Sequence, residues 1–260
     1  MRRALVPFSI VLFAGVAAGQ PSRAPTASIG GHVSVGFPNA GKLEGGKKWS
    51  DTRAARHLRR RAAGAAFAMP GLVALLQNAA QKVAAHFPRS VLTVGDMSAR
   101  DGGPLSGHHS HQNGRDADVG FYVMNDRGKA VVPGRFLAFD EAGKSTLDKH
   151  AFFDDARNWA LVQALLTDGR AEVRTIFVAG WLKARLLKEG ARAKAPRDVL
   201  ERAAAIMMQP ANAEPHDDHF HVRIACVESQ RGTVCHDDSI ERGGGSLPGG
   251  LSAPSEPDPP

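Results

Sequence analysis

The spacing of apolar residues along the chain predicts a mixture of helices and short strands. Apolar residues within 71–87 recur at intervals of three and four, and the run stands between Pro70 and Pro88, which is typical of an amphipathic helix. The short β-branched run 90–95 predicts a buried strand. The same criteria predict further helices at 152–166, 181–189 and 197–208, and further strands at 117–123, 172–179 and 219–226. Because these elements do not alternate as regular βαβ units, the pattern indicates an α+β fold with a mainly antiparallel sheet.

The two ends of the chain differ in composition from its middle. Residues 1–19 place two arginines ahead of a short apolar run that ends in small residues, which is typical of a secretory signal peptide. No later stretch approaches the roughly 20 apolar residues that span a membrane. Residues 20–50, rich in Gly, Pro and Ser, predict an extended N-terminal arm, and the Gly- and Pro-rich residues 241–260 predict a disordered tail. The sequence therefore predicts one domain, over 51–240, in an exported protein.

The net charge is moderately positive. The formal charge is +7, and loss of Arg2 and Arg3 with a signal peptide would leave +5. Basic proteins often bind nucleic acid, but export favours anionic surfaces or cell-wall polymers, so no nucleic-acid partner is expected. The densest basic cluster is interpreted as a solvated helix face or loop, and it consists of Arg53, Arg56, Arg59, Arg60 and Arg61.

The chain has only two cysteines, Cys226 and Cys235. In an oxidising compartment, two thiols at this short separation beside a predicted strand indicate a disulfide that closes a small loop. Two free thiols are the alternative.

Two short segments concentrate side chains that can bind metal ions. Segment 106–120 has the sequence SGHHSHQNGRDADVG, and segment 215–224 has the sequence PHDDHFHVRI. Side chains two positions apart in a strand point to the same face, so His219 and His221 should project together. The same alternation places Asp116 and Asp118 on one face of the strand that follows the first segment.

These residue types fit the requirements of zinc. The ion takes about four ligands from His, carboxylate or thiolate groups, and a catalytic site keeps one position for water. Two histidines and one aspartate leave that position free, and a nearby neutral imidazole could accept a proton from the water. Cys226 would face away from the cluster, because its spacing from His221 is odd. For any one histidine the alternative is a surface or hydrogen-bonding residue, and spacing alone does not decide which residues fill which roles.

Both segments resemble those of a known family. GHHSHQNGRDAD resembles the G-H-x-S-H-Q-x-G-x-D-x-D core of the penicillin-insensitive murein endopeptidases, and HDDHFHVR resembles their H-x-x-H-x-H-V-R strand. The similarity extends to SIGGHVSVGFPNAGKL and TIFVAGWLKARL and covers most of residues 28–226. The family is related to lysostaphin-type and D-Ala-D-Ala peptidases and to the hedgehog domain. This relationship implies a small, mainly antiparallel sheet flanked by helices, with a zinc site on the face of the sheet.

The resemblance implies roles for the residues that match the motifs. One zinc ion per chain would be bound by His111, Asp118 and His221. His219 would be the general base. His216 would lie at the rim of the site, where it could polarise the scissile carbonyl or stabilise the oxyanion.

Other residues of the first motif would support this site. His108 matches a family histidine and is expected to orient a ligand, whereas His109 falls at a variable position and is interpreted as incidental. Asp116 is expected to accept a hydrogen bond from a ligand or a loop amide rather than to bind metal. Gln112 and Gly114 are expected to shape the turn that leads from the histidines into the strand.

The implied activity is hydrolysis of the D-alanyl-meso-diaminopimelyl cross-links of peptidoglycan in the periplasm or outside the cell. Zinc-activated water would be the nucleophile, so the reaction would use no nucleophilic serine that β-lactams could acylate. One alternative is a D,D-carboxypeptidase or dipeptidase of the same fold. Another is a non-catalytic, zinc-containing wall-binding domain, against which the presence of His219 argues. Asp217 and Asp218 make the second motif more acidic than is usual in the family.

Overall fold

The structure is a computed structural model that describes residues 31–58, 64–210, 214–226 and 235–237. The predicted signal peptide, the predicted tail and part of the basic cluster, Arg59, Arg60 and Arg61, lie outside the described residues.

Four helices and thirteen strands make up the described part of the chain. The helices are α1 (Pro70–His86), α2 (Asp155–Leu166), α3 (Gly180–Arg192) and α4 (Arg197–Ile206). The strands are β1 (Val33–Phe37), β2 (Ala40–Glu44), β3 (Lys47–Lys48), β4 (Ala55–His57), β5 (Phe67–Ala68), β6 (Leu92–Val94), β7 (Asp116–Gly120), β8 (Val123–Asn125), β9 (Ala130–Val131), β10 (Ala151–Phe153), β11 (Val173–Phe177), β12 (Met207–Met208) and β13 (His219–Ile224). The α+β class predicted from the sequence is confirmed.

The largest sheet has six strands in the order β12-β11-β13-β7-β6-β4. Its inner pairs are antiparallel, whereas the outermost pair at each edge, β11 with β12 and β6 with β4, is parallel. Most strand pairs are thus antiparallel, as expected from the resemblance, whereas this sheet is larger than expected and includes two parallel pairs. Three smaller sheets have the strand orders β1-β2, β3-β5 and β10-β8-β9.

The register of β7 and β13 separates an apolar face from a polar face. Phe220 lies opposite Val119, and both belong to one hydrophobic core that also contains the buried side of α1. On the other face His221 lies opposite Asp118, and Arg223 lies opposite Asp116. This alternation is the one expected from the sequence, since successive side chains along a strand point to opposite faces.

Local residues explain where α1 and α2 begin. Pro70 occupies the first turn of α1, where its missing amide hydrogen costs nothing, and the buried side of this helix runs from Leu72 to Val83. Asp154 caps α2 by accepting a hydrogen bond from the backbone amide of Arg157.

Two sequence predictions need correction. Residues 152–153, predicted as the first turn of a helix, belong to β10, because Asp154 caps α2 after them and Phe153 pairs with Val123. The predicted helix 197–208 ends earlier, and Met207–Met208 pairs with β11 instead. Within the described part of the predicted arm, β1 and β2 form a hairpin, and Gly36 of β1 lies opposite Gly41 in the left-handed region at φ +69°.

The predicted disulfide between Cys226 and Cys235 is confirmed. It holds residues 235–237 beside the first motif, where Asp237 accepts a hydrogen bond of 2.6 Å from the buried side chain of Arg115. The ring of His236 stacks on Phe37 in the hairpin. None of the four described helices combines the length and apolar character that a membrane-spanning segment requires.

Candidate metal centre

The loop before β7 holds His111 in an unusual backbone conformation. Its φ is +68°, in the left-handed region that residues with a Cβ rarely adopt. The backbone amide of His111 donates to Asp116 Oδ2 at 3.1 Å, and its carbonyl accepts from the hydroxyl of Ser98. The same hydroxyl accepts from the amide of Gly114 at 2.9 Å. Strain of this kind persists where surrounding contacts determine the conformation, and it often marks functional sites.

Asp118 is the residue on which the candidate site converges. It is fully buried, and the strand ladder fixes its backbone through hydrogen bonds to Asp96 and Gly95. Its Oδ1 lies 3.2 Å from Nε2 of His111 and 3.3 Å from Nε2 of His219. The carboxylate therefore lies within reach of side chains from both motifs.

His221 turns its two ring nitrogens toward different carboxylates. Its Nε2 lies 3.0 Å from Asp116 Oδ1, and its Nδ1 lies 3.7 Å from Asp118 Oδ1. Arg223 donates from Nε to the same oxygen of Asp116 at 2.6 Å. Asp116 thus holds one nitrogen of His221 and leaves the other facing Asp118, and it also bonds the amide of His111 as described above. These contacts are of the kind that the sequence analysis expected of Asp116.

The other histidines surround the same carboxylate. Nδ1 of His108 lies 3.9 Å from Asp118 Oδ2, while its Nε2 lies 2.9 Å from Asp96 Oδ2. His216 lies beside His219, with ring centroids 5.1 Å apart. His109, interpreted as incidental, is exposed. All five remaining histidines of the two motifs therefore gather around Asp118.

The charges of the site strongly influence one another. Burial alone raises the pKa of Asp118, but His111 and His219 lower it well below its ordinary value. Burial alone lowers the pKa of His219, yet Asp118 and then Asp218 raise it to about 10. Burial lowers the pKa of His221 to about 4 in spite of Asp116. Asp118 and the imidazoles of His111 and His219 therefore stabilise one another's charged forms.

The comparison with known families identifies the group to which this arrangement belongs. The sequence model described as penicillin-insensitive murein endopeptidase matches residues 34–246, which is most of the chain. The chain belongs to the penicillin-insensitive murein endopeptidase family. The matched range includes both histidine motifs and all of the hairpin β1-β2 except its first residue, Val33.

The chain is also similar in sequence to a curated relative. The chain is 30% identical over 162 residues to a penicillin-insensitive murein endopeptidase of Haemophilus influenzae. The match covers 60% of this chain and 51% of the relative, so the chain spans about half the length of the relative it matches.

The residues of the family's first motif fit a metal ion. His108, His111 and Asp118 each offer a ligand atom, and these atoms all lie within 4.8 Å of one another. Among the described residues, Nε2 of His111 and both carboxylate oxygens of Asp118 are buried and make no well-aligned hydrogen bond, although Nε2 lies 3.2 Å from Oδ1. Buried polar atoms are normally paired, so three such atoms facing one another indicate a site for a cation.

Several residues that shape the site were not among the sequence predictions. Asp96 and Ser98 follow β6 and contact the histidine loop, and Arg223 anchors Asp116. Phe136 reaches the site from a distant loop and stacks on His219. A polar residue directly after a buried strand is a signal that could have pointed to Asp96, whereas no local pattern marks Phe136.

Proposed function

We propose that this chain is a zinc-dependent murein endopeptidase that hydrolyses D-alanyl-meso-diaminopimelyl cross-links of peptidoglycan, in the periplasm or outside the cell. The observation that carries the proposal is the set of buried ligand atoms without a well-aligned hydrogen bond on His111 and Asp118 within a member of this family. Peptidoglycan peptides are the proposed substrate, and the disulfide is consistent with an oxidising compartment.

We assign one zinc ion to His111, Asp118 and His221. Imidazole nitrogen and carboxylate oxygen are typical ligands of catalytic zinc. Asp116 favours this assignment, because its hydrogen bond to Nε2 of His221 leaves Nδ1 to face Asp118. His108 is the competing ligand, since its Nδ1 lies nearby but its Nε2 is held by Asp96. When bound, zinc would act as a Lewis acid and increase the acidity of water at the open position.

His219 would accept the proton of the attacking water. Its Nε2 faces Asp118, and only 15% of its side chain is exposed, so a proton held there is shielded from bulk solvent. An imidazole accepts a proton only in its neutral form, which requires the charge of Asp118 to be balanced by a cation other than His219 itself. His216 would polarise the scissile carbonyl, and burial already lowers its pKa and so favours the neutral form.

Purified cross-linked muropeptides test the reaction class. The protein should be incubated with them before and after treatment with a chelator, and the products followed by mass spectrometry. Conversion of dimers to monomers, abolished by the chelator and restored by zinc, is the expected result. Release of single D-alanine residues would indicate a carboxypeptidase instead, and unchanged dimers would indicate a non-catalytic wall-binding domain.

Variants of the site separate metal binding from catalysis. His111→Ala and Asp118→Ala should abolish both zinc binding and cleavage, whereas His219→Ala should keep zinc but lose turnover by about 100-fold or more. Zinc content per folded chain and cleavage rate would be measured for each variant. Cleavage by His219→Ala at the parent rate would refute the assignment of the base.

A further inference from the structure

The imidazole of His219 is contacted on both ring nitrogens and on one face. Nδ1 lies 2.5 Å from Oδ1 of Asp218, the preceding residue in the chain. Nε2 points the other way, 3.3 Å from Asp118 Oδ1. The ring of Phe136 stacks against the imidazole at 5.1 Å between centroids and 18° between planes. These contacts leave the ring little freedom to flip or tilt.

Phe136 is itself fixed by two glycines on the sheet. A Cβ added to Gly95 would lie 2.6 Å from the aromatic ring, and one added to Gly120 would lie 2.9 Å from it. Gly120 is the residue of β7 directly opposite His219, so the ring occupies space next to the imidazole that any larger residue would fill. The close approach explains why Phe136 is buried although it belongs to a loop.

The segments that carry Asp218 and Phe136 are tied together. The amide of Phe139 donates to the carbonyl of Asp217 at 2.9 Å. This bond joins the loop that carries Phe136 to the segment that carries Asp218. It therefore restrains the positions of the Asp218 carboxylate and the Phe136 ring relative to each other, on two sides of His219.

We propose that Asp218 is a positioning residue that accepts the Nδ1 proton of His219, with Phe136 fixing the ring plane, so that the lone pair of Nε2 faces the reacting water. Which nitrogen of an imidazole carries the proton is set by the hydrogen bond that the other nitrogen makes or accepts. A carboxylate behind the base holds the imidazole in the productive tautomer and orientation. The inference rests on the proposed function, in which His219 is the base.

The hydrogen bond itself can be tested without any catalytic assay. In the proposed tautomer His219 carries a proton on Nδ1 whether the ring is neutral or protonated, so this proton can be sought by NMR in 15N-histidine-labelled full-length protein, with and without zinc. We expect a downfield, slowly exchanging Nδ1–H signal, assigned by its loss in His219→Gln. Asp218→Ala should remove the signal or shift it upfield, whereas Asp217→Ala, which deletes the neighbouring carboxylate, should leave it unchanged. An unaltered signal in Asp218→Ala would overturn the proposal.

Kinetics test the consequence for turnover. In the muropeptide assay Asp218→Ala should lower kcat by about tenfold or more with little change in KM, because positioning of a general base acts on the chemical step. Asp218→Asn keeps the size of the side chain, but its amide NH2 can donate to Nδ1 and favour the unproductive tautomer, so kcat should stay low. Asp217→Ala should behave like the parent. Phe136→Leu should also lower kcat while zinc content stays constant.

Failure of the proposed function and failure of the positioning role of Asp218 would give different results. If the parent protein does not cleave muropeptides, the proposed function fails, and the NMR comparison still decides whether Asp218 holds His219. If the parent cleaves and Asp218→Ala cleaves equally fast, the positioning role is wrong while the proposed function stands.

Discussion

The protonation state of His219 provides a direct test of the electrostatics of the site. Asp118 and Asp218 raise the pKa of this buried imidazole to about 10, although burial alone would lower it. A base at neutral pH must be neutral. We therefore predict that His219 is an imidazolium in the metal-free protein and loses this proton when zinc binds at Asp118.

The size of the effect follows from the pKa. Deprotonating a group with a pKa of about 10 at pH 7 costs about 4 kcal/mol, so about one molecule in a thousand would carry neutral His219. Asp118 contributes more to the raised pKa than Asp218 does, so Asp118→Asn should lower it further than Asp218→Asn. Because the folded-state pKa is raised, this proton stabilises the metal-free fold below about pH 6.5, and the contribution is lost as pH rises through about 10.

An NMR pH titration of 15N-labelled histidines measures this pKa directly. The metal-free parent should titrate at His219 well above pH 8, Asp118→Asn should titrate lower, and the zinc-loaded parent should show neutral His219 at pH 7. A metal-free parent in which His219 titrates near its ordinary value of about 6.5 would refute the reasoning.

Three further predictions concern the supports of the site and of the fold. Asp116→Ala should weaken zinc binding by about 10- to 100-fold, measured by competition with a chromogenic chelator, and unchanged affinity would contradict its role in orienting His221. Asp168 has a pKa lowered to about 2, where Arg170 and other donors outweigh the opposing effect of burial. Its charge therefore stabilises the fold above about pH 4, and this stabilisation is lost as pH falls through about 2. Asp168→Asn should lower the free energy of unfolding in urea at pH 7 and change it little at pH 2. Reduction of the Cys226–Cys235 disulfide should lower the free energy of unfolding by about 2 to 3 kcal/mol, and a double Cys→Ser variant should show no further loss on reduction.

The strands of the site were predictable because strand alternation is a local property. The period of two placed His219 and His221 on one face, and Asp116 and Asp118 on the facing strand share that face in the structure. Helix α1 was predictable for the same reason, since its apolar spacing and flanking prolines lie within one short segment.

The remaining features depend on contacts between distant segments. The left-handed backbone of His111 is stabilised by Ser98 and by Asp116, which no local pattern brings together. The orientation of the His221 ring is set by Asp116 across the sheet, and Phe136 reaches His219 only because two glycines leave room for it. Periodicity identified the faces of the strands but carried no information about ring orientation or about the loops that complete the site.

A crystal structure of the zinc-loaded protein, with anomalous data collected at the zinc edge, tests the central claim most directly. The account predicts one zinc ion at about 2.0 to 2.2 Å from Nε2 of His111, a carboxylate oxygen of Asp118 and Nδ1 of His221, with His219 outside bonding distance. Absence of zinc from this site, or an ion bound by His108 or His219 in place of His221, would contradict it.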